Sequence, residues 1–273
     1  MNDTPLGRGV LELGPAWLFC PAHRPDRFGK AAAAADAVIL DLEDGVGAAD
    51  RPHARAALLS TPLDPRRTVV RVNAVDTADH ALDVDAVRRA GYRQVMVAKA
   101  ESAQQLTDLG DLDVIALCET PAGVLRAESI AAAAPVVAVM WGAEDLAAAV
   151  GIESSRLAGG EFAAVLRHAR TTVLFAAAAV GKPVIDTVHV DLADLAGLAS
   201  EASEASAGGF RFKACIHPSQ VPVVRASYRP APEQLDRARR LLAAAGTGVF
   251  VFEGRMVDEP VLRQARAIVA RAG

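Results

Sequence analysis

The 273-residue chain is too long for one small module and has the size of a single large α/β barrel. With 52% apolar and 23% charged residues it is not a disordered chain, and 29 basic against 33 acidic side chains (net charge −4) leave no global positive field for a nucleic-acid backbone. Cys20, Cys118 and Cys215 stand alone in apolar runs without C-x-x-C spacing, which argues against a disulfide framework or a zinc site.

The opening MNDTPLGRGV has no cationic start followed by an apolar stretch. No uncharged apolar run reaches the roughly 18 residues that span a bilayer. A leader, a membrane span and a membrane partner are therefore not expected, and the protein is expected to be cytoplasmic. Eight short apolar, β-branched runs then follow in order: Trp17–Cys20, Ala37–Leu40, Val69–Val72, Val95–Ala98, Val114–Leu117, Val136–Met140, Val184–Val188 and Phe212–Ile216. Between them lie segments of helical composition such as Ala54–Leu59, Ala81–Ala90, Val124–Ala134 and Glu161–Val180. Near-continuous apolar strands are what a parallel sheet covered by helices requires, and eight βα units predict a closed (β/α)8 TIM barrel of the α/β class.

Beyond the eighth run, Pro230-Ala231-Pro232 punctuates the chain. Glu233–Ala245 reads as a helix, Val249–Phe252 as extended, Gly254 as a turn, and a last helix starts near Asp258 with Pro260 in its first turn. The barrel is thus expected over residues 1–229. A C-terminal helical extension takes 230–273 and packs either on its own barrel or on a neighbouring subunit.

Chemistry in such barrels sits at the C-terminal ends of the strands. Ionisable residues follow seven of the eight runs: Asp41-Leu42-Glu43-Asp44-Gly45, Arg71 with Asn73, Lys99, Glu119-Thr120, Trp141-Gly142-Ala143-Glu144-Asp145, Asp186, and His217-Pro218-Ser219-Gln220. Glu119 and Asp145 are the sharpest pair, because two carboxylates from adjacent strand ends can share one hard cation while water and substrate oxygens complete its shell. No histidine or thiolate sits in either motif, so magnesium suits the pair better than zinc or copper. The alternative is that the two acids merely open helices near Pro121 and Gly142.

Arg71, beside an apolar strand, needs either a bound carboxylate or carbonyl, or a structural partner among Asp41, Glu43 and Asp44. Lysines number only four against 25 arginines, so Lys99 and Lys213 stand out in their apolar runs. For Lys99, a lysine paired with nearby acids is preferred to a Schiff-base role. Arg24, Arg27 and Lys30 make the loop after the first strand basic, fit either for the phosphates of a long cofactor or for a solvated helix start. His217, next to Pro218, is read as fixing its loop in preference to acting as a general base.

Taken in register, these motifs resemble the citrate lyase β-subunit-like group of the HpcH/HpaI aldolase superfamily. The matching pieces are Leu18-Phe19-Cys20-Pro21 with Arg24 and Lys30, Val38-Ile39-Leu40-Asp41-Leu42-Glu43-Asp44-Gly45-Val46, Arg71-Val72-Asn73, Lys99-Ala100-Glu101-Ser102, Glu119-Thr120, Gly142-Ala143-Glu144-Asp145, Ile216-His217-Pro218-Ser219-Gln220 and Met256-Val257-Asp258 followed by Pro260. They run in family order from about residue 16 to 270. The resemblance implies a magnesium-dependent barrel that makes or breaks a carbon–carbon bond between an acyl thioester, usually of coenzyme A, and a 2-oxo acid.

It further implies that Glu119 and Asp145 hold the metal and contact substrate, that Arg71 binds and polarises substrate oxygens, and that backbone at Gly142 and Ala143 lies by the 2-oxo acid. Phe19, Cys20, Arg24 and Lys30 would border the thioester carrier. Asp258 would be the acid/base, supplied by an adjacent subunit of a homo-oligomer, a trimer or a multiple of one. Two positions depart from the family's habit: Ala122, where it often has arginine, and Ala98, where it has proline. The substrate is therefore not inherited with the fold.

The reaction expected is Claisen-type cleavage or synthesis of a 3-hydroxyacyl thioester such as malyl- or citryl-CoA. The rivals are a pyruvate-type aldolase that uses no thioester, and a citrate lyase β subunit that works only beside partner proteins.

Overall fold

The apolar runs become eight parallel strands in which each pairs with the next and the eighth closes on the first. They are β1 (Ala16–Pro21), β2 (Ala37–Asp41), β3 (Thr68–Val72), β4 (Gln94–Val97), β5 (Asp113–Cys118), β6 (Val136–Trp141), β7 (Val184–Asp186) and β8 (Phe212–Cys215). The computed structural model describes residues 9–246 and 248–272, so most of the opening segment on which the absence of a leader was argued lies outside the described residues. The intervening helices are α1 (Phe28–Ala34), α2 (Arg51–Ser60), α3 (Ala78–Arg89), α4 (Pro121–Leu125), α5 (Ala127–Ala132), α6 (Ala143–Val150), α7 (Ala164–Ala179), α8 (Leu195–Gly208) and α9 (Gln220–Tyr228). No helix among the described residues is long and apolar enough to cross a membrane.

Strict βα alternation fails once. Between β4 and β5 the chain makes a 3-10 run, Gln104–Leu109. Gln105 Oε1 accepts from the N–H groups of Glu101 and Ser102, which holds the entry in a turn, and Gly110 ends the run after six residues. The segment expected to be one helix over Val124–Ala134 is broken at Arg126, whose φ of −113° and ψ of 13° separate α4 from α5.

The barrel interior is filled by Trp17, Ile39, Val69, Met96, Ile115, Leu117, Met140, Ile185 and Phe212, with Val10 from the turn before β1. Trp17 and Phe212 meet with ring centroids 4.6 Å apart. Strand side chains alternate, so the residue two places past an interior one also faces inward, nearer the C-terminal mouth. Phe19 follows Trp17 in this way, Asp41 follows Ile39, Arg71 follows Val69 and Glu119 follows Leu117.

A polar knot lies at β6, β7 and β8. Asp186, fully buried, accepts from Trp141 Nε1 at 2.7 Å, Arg170 Nε at 3.1 Å and Lys213 Nζ at 2.9 Å. Burial works against its charge, but Lys213 and Arg170 hold its carboxyl below the ordinary range. Lys213 is itself fully buried and also donates to the Thr187 carbonyl at 3.0 Å.

The chain divides into two compact units, one ending at Val224 and the other beginning at Arg225, within α9. The second holds α10 (Pro232–Ala243), an antiparallel hairpin of β9 (Phe250–Phe252) and β10 (Arg255–Val257), and α11 (Glu259–Ala270). Ala238, Leu241, Val257, Leu262 and Ala265 form its core. The extended stretch expected over Val249–Phe252 is the first arm of that hairpin. Its two-residue turn puts both Glu253 (φ 49°) and Gly254 (φ 73°) in the left-handed region, as a tight hairpin requires. Asp258 caps α11, accepting from the Val261 N–H at 3.4 Å.

Asp186→Ala strands three donors, two of them cationic, inside the barrel wall, and is expected to cost about 3–5 kcal/mol in urea denaturation. Asp85→Ala, which removes the exposed pair with Arg89 at 3.2 Å, is expected to cost less than about 1 kcal/mol.

Candidate active site

Five acids and two cations meet at the mouth of the barrel. Arg71 grips Asp41 with two bonds of 2.7 Å, through Nε and Nη2, and reaches Glu43 Oε2 through Nη1 at 3.2 Å. Its guanidinium also lies 4.8 Å from the centroid of the Phe19 ring. Burial opposes the charge of Arg71, yet Asp41 and Glu43 keep it more firmly protonated than a free arginine. Of the partners open to Arg71 in the sequence, then, Asp41 and Glu43 take part of its donor fork. These contacts engage Nε, Nη1 and Nη2 but not all five N–H groups of the guanidinium.

Asp41 is held in turn by its own loop. Its carboxylate accepts from the N–H of Glu43 at 3.0 Å and of Gly45 at 2.8 Å. A side chain at position 45 would put Cβ 2.3 Å from Asp41 Oδ2, so only glycine lets the loop close this tightly. Asn73 ties down the same loop by donating to the Leu42 carbonyl at 2.9 Å.

Lys99 joins the cluster from β4. Its ammonium bonds Glu43 Oε1 and lies 3.3 Å from Asp44 Oδ2, 3.2 Å from Asp145 Oδ1 and 3.9 Å from Glu119 Oε1. Burial works against this charge, but the bond to Glu43 and the neighbouring acids raise its pKa above the usual lysine range. The sequence expectation for Lys99, a lysine paired with nearby acids in preference to a Schiff base, matches these contacts, although alternation counted from Met96 would put Ala98 rather than Lys99 on the inner face. The left-handed backbone at Lys99 (φ 51°) breaks that alternation.

Glu119 is 2% exposed and does not cap the following helix. Thr120 does, its Oγ1 accepting from the Gly123 N–H at 3.0 Å. Glu119 instead takes the Lys99 backbone N–H on Oε1 at 3.1 Å. Burial and the nearby Asp145 push its carboxyl up to about 8, against the pull of Arg71 and Lys99. Gly142 gives it room, since a Cβ there would stand 2.7 Å from both Glu119 Cβ and Oε2. Asp145 sits in the first turn of α6, where the helix dipole favours an acid. Ala143, beginning that helix, donates its N–H to Thr187 Oγ1 at 3.1 Å.

A cavity of 560 Å³ opens beside Phe19 and is lined by Cys20, Arg24, Arg27, Lys30 and His217 among others. All four residues expected to border a thioester carrier face it: Phe19, Cys20, Arg24 and Lys30. Arg24 is paired with Asp26 at 2.8 Å, while burial pushes the Cys20 thiol up to about 11. His217 keeps to its loop, with Nδ1 2.8 Å from Ser219 Oγ. Asp258 belongs to the second compact unit, and its described bond is the cap of α11.

Among the described residues no three or more His, Cys, Asp or Glu side chains form a metal cage. A cation bridging Glu119 and Asp145 would therefore complete its shell with water and ligand oxygens, a donor set that fits magnesium. That one ammonium already lies within 4 Å of both carboxylates supports the fit.

Residues 16–218 match the HpcH/HpaI aldolase/citrate lyase family model. The citrate lyase subunit beta-like protein of Mycobacterium tuberculosis is 57% identical over 262 residues, which cover 95% of this chain and 96% of that protein. Mitochondrial citramalyl-CoA lyase of Homo sapiens is 31% identical over 272 residues, covering 87% and 78%. The crystal structure of protein CitE from Mycobacterium tuberculosis in complex with magnesium, acetoacetate and coenzyme A has a TM-score of 0.92 at 57% identity, over 96% of this chain and 98% of that one.

A carboxyl whose pKa is about 8 when folded and 4.5 when free binds more protons in the native state, so its contribution to stability falls as pH rises between those values. The melting temperature of the metal-free protein is expected to drop over that interval, and Glu119→Gln to flatten the drop by several degrees. A wild-type slope retained in Glu119→Gln refutes the assignment. Gly142→Ala is expected to displace the Glu119 carboxylate and lower turnover by about tenfold or more, with the fold kept by circular dichroism.

Proposed function

Because the chain belongs to the HpcH/HpaI aldolase/citrate lyase family, we propose that it is a magnesium-dependent carbon–carbon lyase acting on a 3-hydroxyacyl-CoA thioester, of the malyl-, citramalyl- or citryl-CoA kind, to give an acyl-CoA and a 2-oxo acid, or running the reverse condensation. The observation that carries this reading is the convergence of Glu119 and Asp145 on one cationic position within the cluster that contains Arg71.

Glu119 and Asp145 are the residues that would hold magnesium. When bound, the metal would supply Lewis acidity that acidifies the substrate hydroxyl, whose proton is lost to solvent as the carbonyl forms. Arg71, oriented by Asp41 and Phe19, turns its uncommitted N–H groups toward the thioester oxygen and stabilises the enolate that carbon–carbon cleavage leaves. The backbone at Gly142 and Ala143 borders the 2-oxo acid. Phe19, Cys20, Arg24 and Lys30 border the coenzyme A carrier, and Arg24, Arg27 and Lys30 offer charge to its phosphates.

Asp258 protonates the enolate carbon, or removes a proton from the acyl-CoA in synthesis. In this reading the protein is a cytoplasmic homo-oligomer, a trimer or a multiple of one, in which residues 230–273 of one subunit pack on a neighbour and bring Asp258 to its site. A pyruvate-type aldolase would need no basic carrier cavity, which favours the thioester reading.

Asp145→Ala is expected to abolish magnesium-dependent cleavage, by about a thousandfold or more, and to leave the fold intact. Products from a panel of 3-hydroxyacyl-CoA esters, read by mass spectrometry with magnesium present, identify the substrate. Release of free acid and coenzyme A without carbon–carbon cleavage would make the chain a thioesterase instead, and turnover only of free acids would make it an aldolase. In a second test, mixing inactive Arg71→Ala and Asp258→Asn proteins is expected to restore activity in mixed oligomers. Failure of mixed oligomers to recover activity counts against a shared site.

A further inference from the structure

We propose that Lys99 is a built-in counter-ion for the metal carboxylates, holding Glu119 and Asp145 together while no divalent cation is bound and withdrawing its ammonium when one arrives. The proposal rests on the reading of Glu119 and Asp145 as metal ligands and concerns how their site is kept assembled when empty.

Three observations carry it. The first is position, for the Lys99 ammonium lies 3.2 Å from Asp145 Oδ1 and 3.9 Å from Glu119 Oε1, within 4 Å of both groups a bridging cation would contact. A divalent ion held by the same two carboxylates would stand close to the ammonium, and their like charges repel. The second is backbone. Lys99 is one of two non-glycine residues among those described with positive φ (51°), a conformation unfavourable to an ordinary L-residue. That turn brings both the side chain and the N–H of one residue to the same pair of acids, since the N–H donates to Glu119 Oε1 at 3.1 Å.

The third is freedom to leave. The Lys99 side chain is 32% exposed, whereas those of Arg71 and Glu119 are 11% and 3% exposed. Glu43 and Asp44 contact the ammonium in the same position, so it keeps two partners if Asp145 and Glu119 turn to a metal. Arg71, pinned by two bonds to Asp41, has no comparable latitude and is the fixed charge of the site. The cluster therefore keeps one permanent cation and one exchangeable one.

The test is a linkage cycle on the full-length protein. Magnesium chloride is titrated calorimetrically into wild type, Lys99→Met and Asp145→Asn, and thermal unfolding is followed with and without saturating magnesium. Removing a competing ammonium is expected to tighten magnesium binding by on the order of tenfold or more. Lys99→Met is also expected to melt below wild type in chelator and to return to the wild-type melting temperature when magnesium saturates.

Unchanged or weaker magnesium binding by Lys99→Met overturns the proposal, as does a melting deficit that is the same with and without the metal, which would make Lys99 an ordinary structural lysine. The metal reading fails on a separate signal: wild type that binds no magnesium, or Asp145→Asn that binds it as wild type does. Either of these takes the counter-ion role down with it. If Lys99→Met does not fold, Lys99→Gln, which keeps much of the stem but not the charge, is put through the same cycle.

Discussion

The mouth of this barrel must hold five carboxylates within reach of two positive charges. Asp41, Glu43, Asp44, Glu119 and Asp145 repel one another, and for the buried Asp41, Glu43 and Glu119 solvent gives that repulsion little screening. The site answers in two ways: Arg71 binds Asp41 bidentately and Glu43 singly, and Glu119 is shifted toward its protonated form by burial and by Asp145. In the proposed reading, the surplus of negative charge left over is what draws in a divalent cation. Affinity for the metal and tension among the acids are the same electrostatic fact viewed from two sides.

Rigidity around that cluster comes from buried polar contacts in the barrel wall and loops. On one flank Gly45 and Asn73 clamp the Asp41–Asp44 loop, through the Asp41 carboxylate and the Leu42 carbonyl. On the other, Asp186 ties Trp141 at the end of β6 to Arg170 on α7 and Lys213 on β8, while Thr187 takes the N–H of Ala143 where α6 begins. Asp145 is thus carried by a helix whose first turn is fastened to the next strand. Catalytic geometry that must hold to a fraction of an ångström needs support of this kind.

Much of the fold was legible because parallel strands buried on both sides leave near-continuous apolar runs, and all eight runs proved to be strands of the closed barrel. The position of Arg71 and Glu119 at the mouth follows from alternation counted from Val69 and Leu117. Lys99 was legible as a lysine paired with nearby acids, but not which acids it meets, because its left-handed backbone departs from strand alternation and nothing in the run Val95–Ala98 announces it. The partners of Arg71 were narrowed to three acids but not chosen, since the choice depends on how Gly45 lets the loop fold back on Asp41. The 3-10 link between β4 and β5 was missed for a related reason: a side-chain amide, Gln105, competes with the backbone for the first donors of the turn.

Sulfur in the wall of the cavity beside Phe19 has a further consequence. Cys20 faces a chamber proposed to hold an activated acyl group, and a thiolate there would attack the thioester and take that acyl group, releasing the carrier thiol. With its pKa at about 11, the side chain remains overwhelmingly un-ionised at neutral pH and hence a poor nucleophile. Burial thus makes a reactive element chemically silent, and the high-energy bond can pass along this wall without being lost to it.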